Sequence, residues 1–462
     1  MRDRLPELRE RGAELVVVGC GDARFAAAFR EDMRLDVPLL VDPELRAYRA
    51  AGLRRGRVEL LSPRMPLHAL RALRSGERQR GVQGDPWQLG GVFVLERGGA
   101  LLYRHASREA GDHAPFEEIL AALDGTAPPP HEPARAPRAQ AALGRALSRV
   151  VDPLVVPSFD RTGFAIHALA FDPGDLDVDL AGRRCLVTGA NAGLGYATAL
   201  ALADLGAEVV MLCRDAARAE DAAERIRAAT GSARVATCLV DVSDLASVRA
   251  AAARLAEAPV DVLVHNAGVL PDARTETRDG LELTFATHVA GPHLLTRLLR
   301  PRLEAAEDAR VVFVTSGGMY TRRLELDDAQ WTRRAYDGVV AYAETKRAQV
   351  VLAGLWAQEL RPYGVAVSAV HPGWADTPGV TTSLPRFHRL ARSILRTPDE
   401  GADTIVWLAA SERAREASGE LWFDRAPRRR HVLPFTRESA ADRRALWERC
   451  ERIARDAERE AT

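Results

Sequence analysis

From Arg183 to Asp424 seven short apolar runs rich in β-branched residues follow one another, RRCLVTG, AEVVMLC, RVATCLV, VDVLVHN, RVVFVTS, GVAVSAV and SGELWFD, each separated from the next by a helix-length segment. Near-continuous apolar runs of this length suit strands buried on both faces, and their alternation with helices makes a doubly wound parallel α/β sheet the expected fold class. Ligands bind such sheets in the crevice outside the carboxyl ends of the strands. The residues that close each run are therefore where the chemistry is expected.

That domain accounts for only part of the chain. A length of 462 residues exceeds what one ordinary core organises. Residues 1–125 read as a smaller α/β unit, with helices over Leu5–Arg11, Ala23–Met33, Pro43–Gly52 and Phe116–Leu123 and strands over Glu14–Val18 and Pro38–Val41. Two further runs, Gly91–Leu95 and Ala100–Tyr103, are joined by Arg97-Gly98-Gly99, a hairpin signal. Five prolines in TAPPPHEPARAP, residues 126–137, exclude helix and mark a semi-rigid linker, so residues 126–156 are assigned to this linker and a short helix over Arg138–Arg149. An apolar, irregular leader then runs to Leu180. The large domain spans 157–435, and 436–462 read as a charged, solvated helical tail.

Charge narrows the function classes. The 64 basic and 64 acidic side chains cancel, so no long-range field points to nucleic acid or an anionic surface, and a small-molecule substrate fits better. No run approaches the 18 apolar residues of a membrane span, and the N-terminus lacks a signal-peptide core. Cys20, Cys185, Cys213, Cys238 and Cys450 are odd in number and far apart, in neither disulfide-framework nor metal-site spacing. A reducing cytoplasm and no metal are the expectations.

The first run of the large domain opens into Thr188-Gly189-Ala190-Asn191-Ala192-Gly193-Leu194-Gly195 and then an alanine-rich helix. Glycines at such a turn let the backbone approach a pyrophosphate and leave a helix N-terminus facing the anion. The second run ends at Cys213-Arg214, where NAD-specific Rossmann proteins place a carboxylate on the ribose 2′-hydroxyl. Cys213 cannot make that bond and Arg214 can pair with a 2′-phosphate, which favours NADP(H) over NAD(H).

Tyr342 and Lys346 lie four residues apart in a helical stretch from about Gly338 to Leu360, so they share one helix face. Moving a phenol from its pKa near 10 to about 7 requires roughly 4 kcal/mol of phenolate stabilisation, which a neighbouring ammonium and a positive nicotinamide ring can supply. Lys346 is the only lysine, the other 63 basic residues being arginine, and Asn191 and Asn266 are the only asparagines. A lone lysine placed at random among the basic positions would reach this slot about once in 64 trials. Arginine keeps its proton and its forked shape, and it cannot replace a compact cation that both holds a ribose and tunes a phenol. The survivors sit where a working site needs them.

The TGxxxGxG spacing resembles the short-chain dehydrogenase/reductase family. The stretches FDPGDLDVDLAGRRCLVTGANAGLGYATA, VTSGGMY, YAETKRAQVVL and HPGWADTPGV are most similar to its subgroup of dehydrogenase/reductase member 12-like proteins. The resemblance implies hydride transfer between the cofactor and a carbonyl carbon, with Tyr342 as general acid, Lys346 lowering its pKa and Ser316, 26 residues before the tyrosine, orienting the substrate oxygen. It further implies adenine contacts from Asp241 and Val242, sheet support from Asn266, Ala267 and Gly268, and nicotinamide contacts from Pro372, Gly373 and Thr377. A homo-oligomer is implied as well. One position departs: His288 stands where the family has an asparagine supporting a water that links Lys346 to solvent. Catalytic participation of His288 in that relay is the expectation to be examined, its failure leaving a cofactor-binding scaffold or redox sensor as the alternative.

The N-terminal unit resembles thioredoxin-like, peroxiredoxin-like proteins in GAELVVVGCGDARFAAAFRED, PLLVDPELRAYRAAGL and QLGGVFVLERGGALLYRH. By that resemblance the chain begins inside the family's first helix, so the family's first strand and its reactive cysteine are missing, and Cys20 ends the next strand as a small structural residue. Either the domain is a degenerate remnant, or the true start lies upstream and the chain is a bifunctional reductase and peroxiredoxin-like protein.

Overall fold

The computed structural model describes residues 4–21, 23–33, 36–42, 47–48, 51, 53, 90–98, 101–107, 114–126, 138–383, 388–389 and 391–459. The chain divides into two compact units, Met1–Arg135 and Ala136–Thr462. Most of the helix expected over Pro43–Gly52, and all of the proline-rich stretch 127–137, lie outside the described residues.

In the first unit, helix α1 (Leu5–Glu10), strand β1 (Val17–Gly19), helix α2 (Ala23–Met33) and strand β2 (Leu39–Val41) precede the hairpin β3 (Gly91–Leu95) and β4 (Leu101–Ala106), and helix α3 (Phe116–Leu123) follows. β1 and β2 pair in parallel and β3 and β4 antiparallel, as two separate ladders among the described residues. Leu8, Val94, Tyr103, Ile119 and Leu120 form a small core. Cys20 follows β1 directly and is a half-buried free thiol.

The second unit begins with helix α4 (Arg138–Val151), and the leader expected to be irregular folds into two short helices, α5 (Val155–Phe159) and α6 (Arg161–Ala168). Asp160 ends one and starts the next by accepting bonds from the amides of Thr162 and Gly163, a cap worth about 1 kcal/mol. Gly163 permits the turn, since a Cβ there would stand 2.0 Å from the Ser158 carbonyl oxygen.

The Rossmann sheet then builds from β5 (Arg184–Thr188), α7 (Gly193–Asp204), β6 (Glu208–Cys213), α8 (Ala216–Thr230), β7 (Val235–Leu239), α9 (Leu245–Leu255), β8 (Val262–His265), α10 (Gly291–Glu304), β9 (Arg310–Val314), α11 (Gly338–Leu360), β10 (Ala366–Val370), α12 (Pro398–Ala410), β11 (Leu421–Phe423) and β12 (Ala426–Arg428). Its order is β12-β11-β10-β9-β8-β5-β6-β7. The seven expected strands are all parallel, and β12 adds an eighth, antiparallel edge. The order reverses between β5 and β8, which is where a doubly wound sheet opens its ligand crevice.

One apolar layer covers each face. Leu186, Leu263, Phe313, Leu294 and Trp356 belong to one layer, and Val187, Val264, Ile405 and Trp407 to the other. The final helix, α13 (Ala440–Arg459), corrects the expected solvated tail. It buries Leu446, Cys450, Ala454 and Ala457 along one stripe and packs against α9, α10 and α11. Its Glu451 accepts from His293 at 3.1 Å and from Arg297 at 2.7 Å. Small apolar residues at helical spacing, with arginines and glutamates between them, hid this buried face from a reading of average hydropathy.

Candidate active site

The glycine loop lies where the crevice opens. Gly189 has φ +65°, and a Cβ on Gly195 would stand 2.3 Å from the Gly189 carbonyl oxygen, so only glycine lets the helix start this close to the turn. Asp215, Asp244, Asp337 and Thr397 each cap the helix that follows them, whereas α7 starts at Ala192 without a side-chain cap. Its first amides are left for an anion to satisfy. Asn266 fastens the loop to β8 by donating from Nδ2 to the carbonyls of Thr188 (2.9 Å) and Gly189 (3.4 Å). Thr188 Oγ1 in turn accepts from the amides of Asn266 and Ala267.

Several of the other motif residues lie beside the glycine loop or Lys346. Thr377 carbons would lie 3.2 Å from a Cβ on Gly193, and Leu194 packs against Gly401 beside Pro372 and Ala375. Gly268 faces His288 Nε2 and Lys346 Nζ, 3.2 and 3.8 Å from where its Cβ would be. Arg214 is exposed beyond β6, while Cys213 is buried under the loop, where the amides of Ala190 and Asn191 reach it. Asp241 spends its carboxylate on the amide and hydroxyl of Ser243, and Val242 is buried against Gly291.

β9 delivers Ser316 and α11 delivers Tyr342 and Lys346. Burial pushes the Tyr342 phenol up to about 12, with a hydrogen bond from Ser316 pulling the other way. Burial brings Lys346 down to about 7. The ammonium donates to the Val314 carbonyl at 2.9 Å and stands 5.4 Å from the centre of the Tyr342 ring. Desolvation is thus the larger influence on the phenol, and it acts against the lowering expected from Lys346.

His288 is fully buried in a π-turn, Ala286–Ala290, its ring edge-on to Tyr342 at 5.3 Å. The Val269 amide donates to Nε2 at 3.1 Å, so Nδ1 carries the proton and donates to Thr345 Oγ1 at 2.8 Å. Burial, then Lys346, hold its pKa well below the usual histidine range. Both nitrogens are committed to protein partners, which corrects the expectation of a water-supporting relay through this side chain.

A buried charge chain behind the site had no counterpart in the sequence reading. Arg396 pairs with Asp424 through two bonds, 2.6 and 2.8 Å, and donates to the carbonyls of Ser158, Phe159 and Asp160. Asp424 also meets His167 Nδ1, whose Nε2 meets Asp152, which pairs with Arg428. Arg396 fills the space where a Cβ on Gly373 would fall, 2.3 Å from its Nε, so the chain braces the loop after β10. His167 and Asp424 are 257 residues apart, and no local pattern announces such a pair.

Residues 183–386 match the short chain dehydrogenase family model. The chain is 41% identical over 300 residues to dehydrogenase/reductase SDR family member 12 of Bos taurus, covering 64% of this chain and 94% of that protein. The chain belongs to the short-chain dehydrogenase/reductase family. Human retinol dehydrogenase 13 is 32% identical over 282 residues, 59% of this chain and 84% of its own length. The crystal structure of an uncharacterised protein from Mycobacterium paratuberculosis superposes with a TM-score of 0.50 at 28% identity, covering 60% of this chain and 95% of that one. Residues 1–109 match the AhpC/TSA antioxidant enzyme family, in line with the thioredoxin-like resemblance of the first unit. The short-chain dehydrogenase/reductase unit is an oxidoreductase fold by descent and by topology.

Proposed function

We propose that this chain is an NADP(H)-dependent oxidoreductase that interconverts a carbonyl and an alcohol. The observation that carries the reading is the placing of Ser316, hydrogen-bonded to Tyr342, together with the sole lysine, Lys346, whose Nζ stands 5.4 Å from the centre of the Tyr342 ring and beside Gly268. The residues present fit a nicotinamide dinucleotide: the uncapped start of α7 suits its pyrophosphate, and Arg214 in place of a carboxylate suits a 2′-phosphate. When bound, the cofactor supplies or accepts the hydride. Ser316 and Tyr342 hold the substrate oxygen between their hydroxyls, and in reduction Tyr342 passes its proton to that oxygen as the carbonyl carbon gains its new bond to hydrogen. Lys346, on the same helix face, holds the ribose and supports the phenolate that remains. The five cysteines are free thiols, which supports a reducing cytoplasm as the compartment.

The test is turnover of the full chain with NADPH against a panel of aldehydes and ketones, followed at the NADPH absorbance. Tyr342→Phe is expected to lower kcat by about 10²–10⁴-fold while NADPH binding persists. Undiminished turnover in that variant refutes the role. The commitment of both His288 nitrogens favours a second reading, a cofactor-binding scaffold or redox sensor. Tight NADPH binding without turnover on any carbonyl would establish it.

A further inference from the structure

Helix α4 carries its apolar residues on the outside. Gly144 seats the helix on the unit, where a Cβ would stand 2.8 Å from Leu169 Cβ and 2.9 Å from the Ala170 nitrogen. Away from that contact Leu143, Leu147 and Val150 are 53, 38 and 67% exposed, and Leu154, Val155 and Val156 continue the stripe at 55, 54 and 51%. Isolated exposed leucines are ordinary, but six exposed large apolar side chains within fourteen residues are not. A second segment has the same character. Val432, Leu433 and Phe435 are 65, 41 and 60% exposed, and the pair between Arg428 and Asp152 ties this segment to the end of α4.

The two segments carry an excess of basic residues. Residues 138–156 contain a single acid, Asp152, and Arg428 and His167 occupy it. Arg145 and Arg149 are exposed, and neither forms an ion pair among the described residues. Residues 429–437, RRHVLPFTR, contain no acid, with Arg429 and Arg437 exposed. In a chain whose basic and acidic residues number 64 each, this apolar surface, with exposed arginines beside it and its acids Asp152 and Glu438 paired with Arg428 and His431, is a local exception. A two-fold contact with a second copy would set such a surface against its own image, arginine facing arginine. Anionic headgroups would neutralise the arginines while the acyl boundary takes up the leucines and valines.

We propose that α4, Leu154–Val156 and the 429–437 segment form a docking face for an anionic bilayer surface, with α4 lying in the interfacial plane. The chain runs from this face directly into the site wall, since the Phe159 ring at the end of α5 lies against Gly317, beside Ser316, and against His371 and Trp374. The docking itself does not depend on the catalytic reading.

Flotation of the full chain with vesicles of phosphatidylcholine alone, or of equimolar phosphatidylcholine and phosphatidylglycerol, tests it at low and high salt. The expected result is partition to the anionic vesicles, weakened by salt. Arg145→Ala and Arg149→Ala should each weaken it about fivefold, and the double change Leu147→Glu/Val150→Glu at least about tenfold. Val432→Glu/Phe435→Glu should weaken it independently. These side chains are exposed, so the melting temperature should not move, and it checks that folding is intact. No flotation of the parent chain, or equal partition to both vesicles, overturns the proposal. A dimer that Leu147→Glu/Val150→Glu converts to monomer in light scattering, without vesicle binding, overturns it in favour of self-association.

Discussion

Arg396→Met is the substitution that interrogates the buried charge chain most sharply. The wild-type side chain is fully buried, bonds Asp424 at 2.6 and 2.8 Å, and serves the carbonyls of Ser158 and Phe159 at 3.0 Å and of Asp160 at 3.1 Å. Methionine keeps much of the stem but leaves four carbonyls, those three and that of Pro372, without this donor and a buried carboxylate with only His167. Removing one member of a buried pair costs roughly 3–5 kcal/mol. At roughly 2–4 °C per kcal/mol for a domain of this size, the unfolding midpoint should fall by roughly 6–20 °C. Thermal unfolding of Arg396→Met, Asp424→Asn and the double variant, followed by circular dichroism, gives the coupling directly. The double variant should lose less than the two singles together, by about 1 kcal/mol or more. A single variant that melts within about 1 °C of the parent, or a strictly additive cycle, would refute the bracing role.

Further outcomes follow from the same geometry. Burial opposes the charged form of His167, but Asp152 and Asp424 outweigh it and raise its pKa, so its stabilisation is complete below about 6.5 and fades as pH rises through the raised value. Asp424, against the cost of burial, is held down to about 2 by Arg396 and His167, so its contribution is complete above about 3.9 and is lost as pH falls through about 2. The melting-temperature gap between the parent and His167→Gln should therefore be widest between those limits and shrink on the alkaline side. Arg214→Glu should raise KM for NADPH roughly tenfold or more and spare that for NADH, as steady-state kinetics with both cofactors would reveal. Leu446→Ala should cost roughly 2–5 kcal/mol in a denaturant titration, whereas a truly solvated tail would show almost nothing.

The sheet was legible because strands buried on both faces leave continuous apolar runs, and the glycine loop because its backbone geometry tolerates no substitute at Gly195. Tyr342 and Lys346 stood out through their spacing and the scarcity of lysine, and Ser316 through the family resemblance. β12 was not: it has three residues, and its turn places Asp424 and Arg425 at φ 50° and 53° without the glycine that usually signals such a hairpin. Arg396 and His167 were invisible because their meaning lies in partners far along the chain. His288 misled for a related reason, since the acceptors and donors that occupy its ring, Val269 and Thr345, come from other elements.

The seat of α13 carries a consequence for biosynthesis. Leu446 and Cys450 complete a layer whose other members, on α9, α10 and α11, leave the ribosome long before them. Until the turns of α13 emerge, the nascent Rossmann unit presents an unfinished apolar flank. A chain stopped short near residue 440 would keep that flank open and seek other company for it.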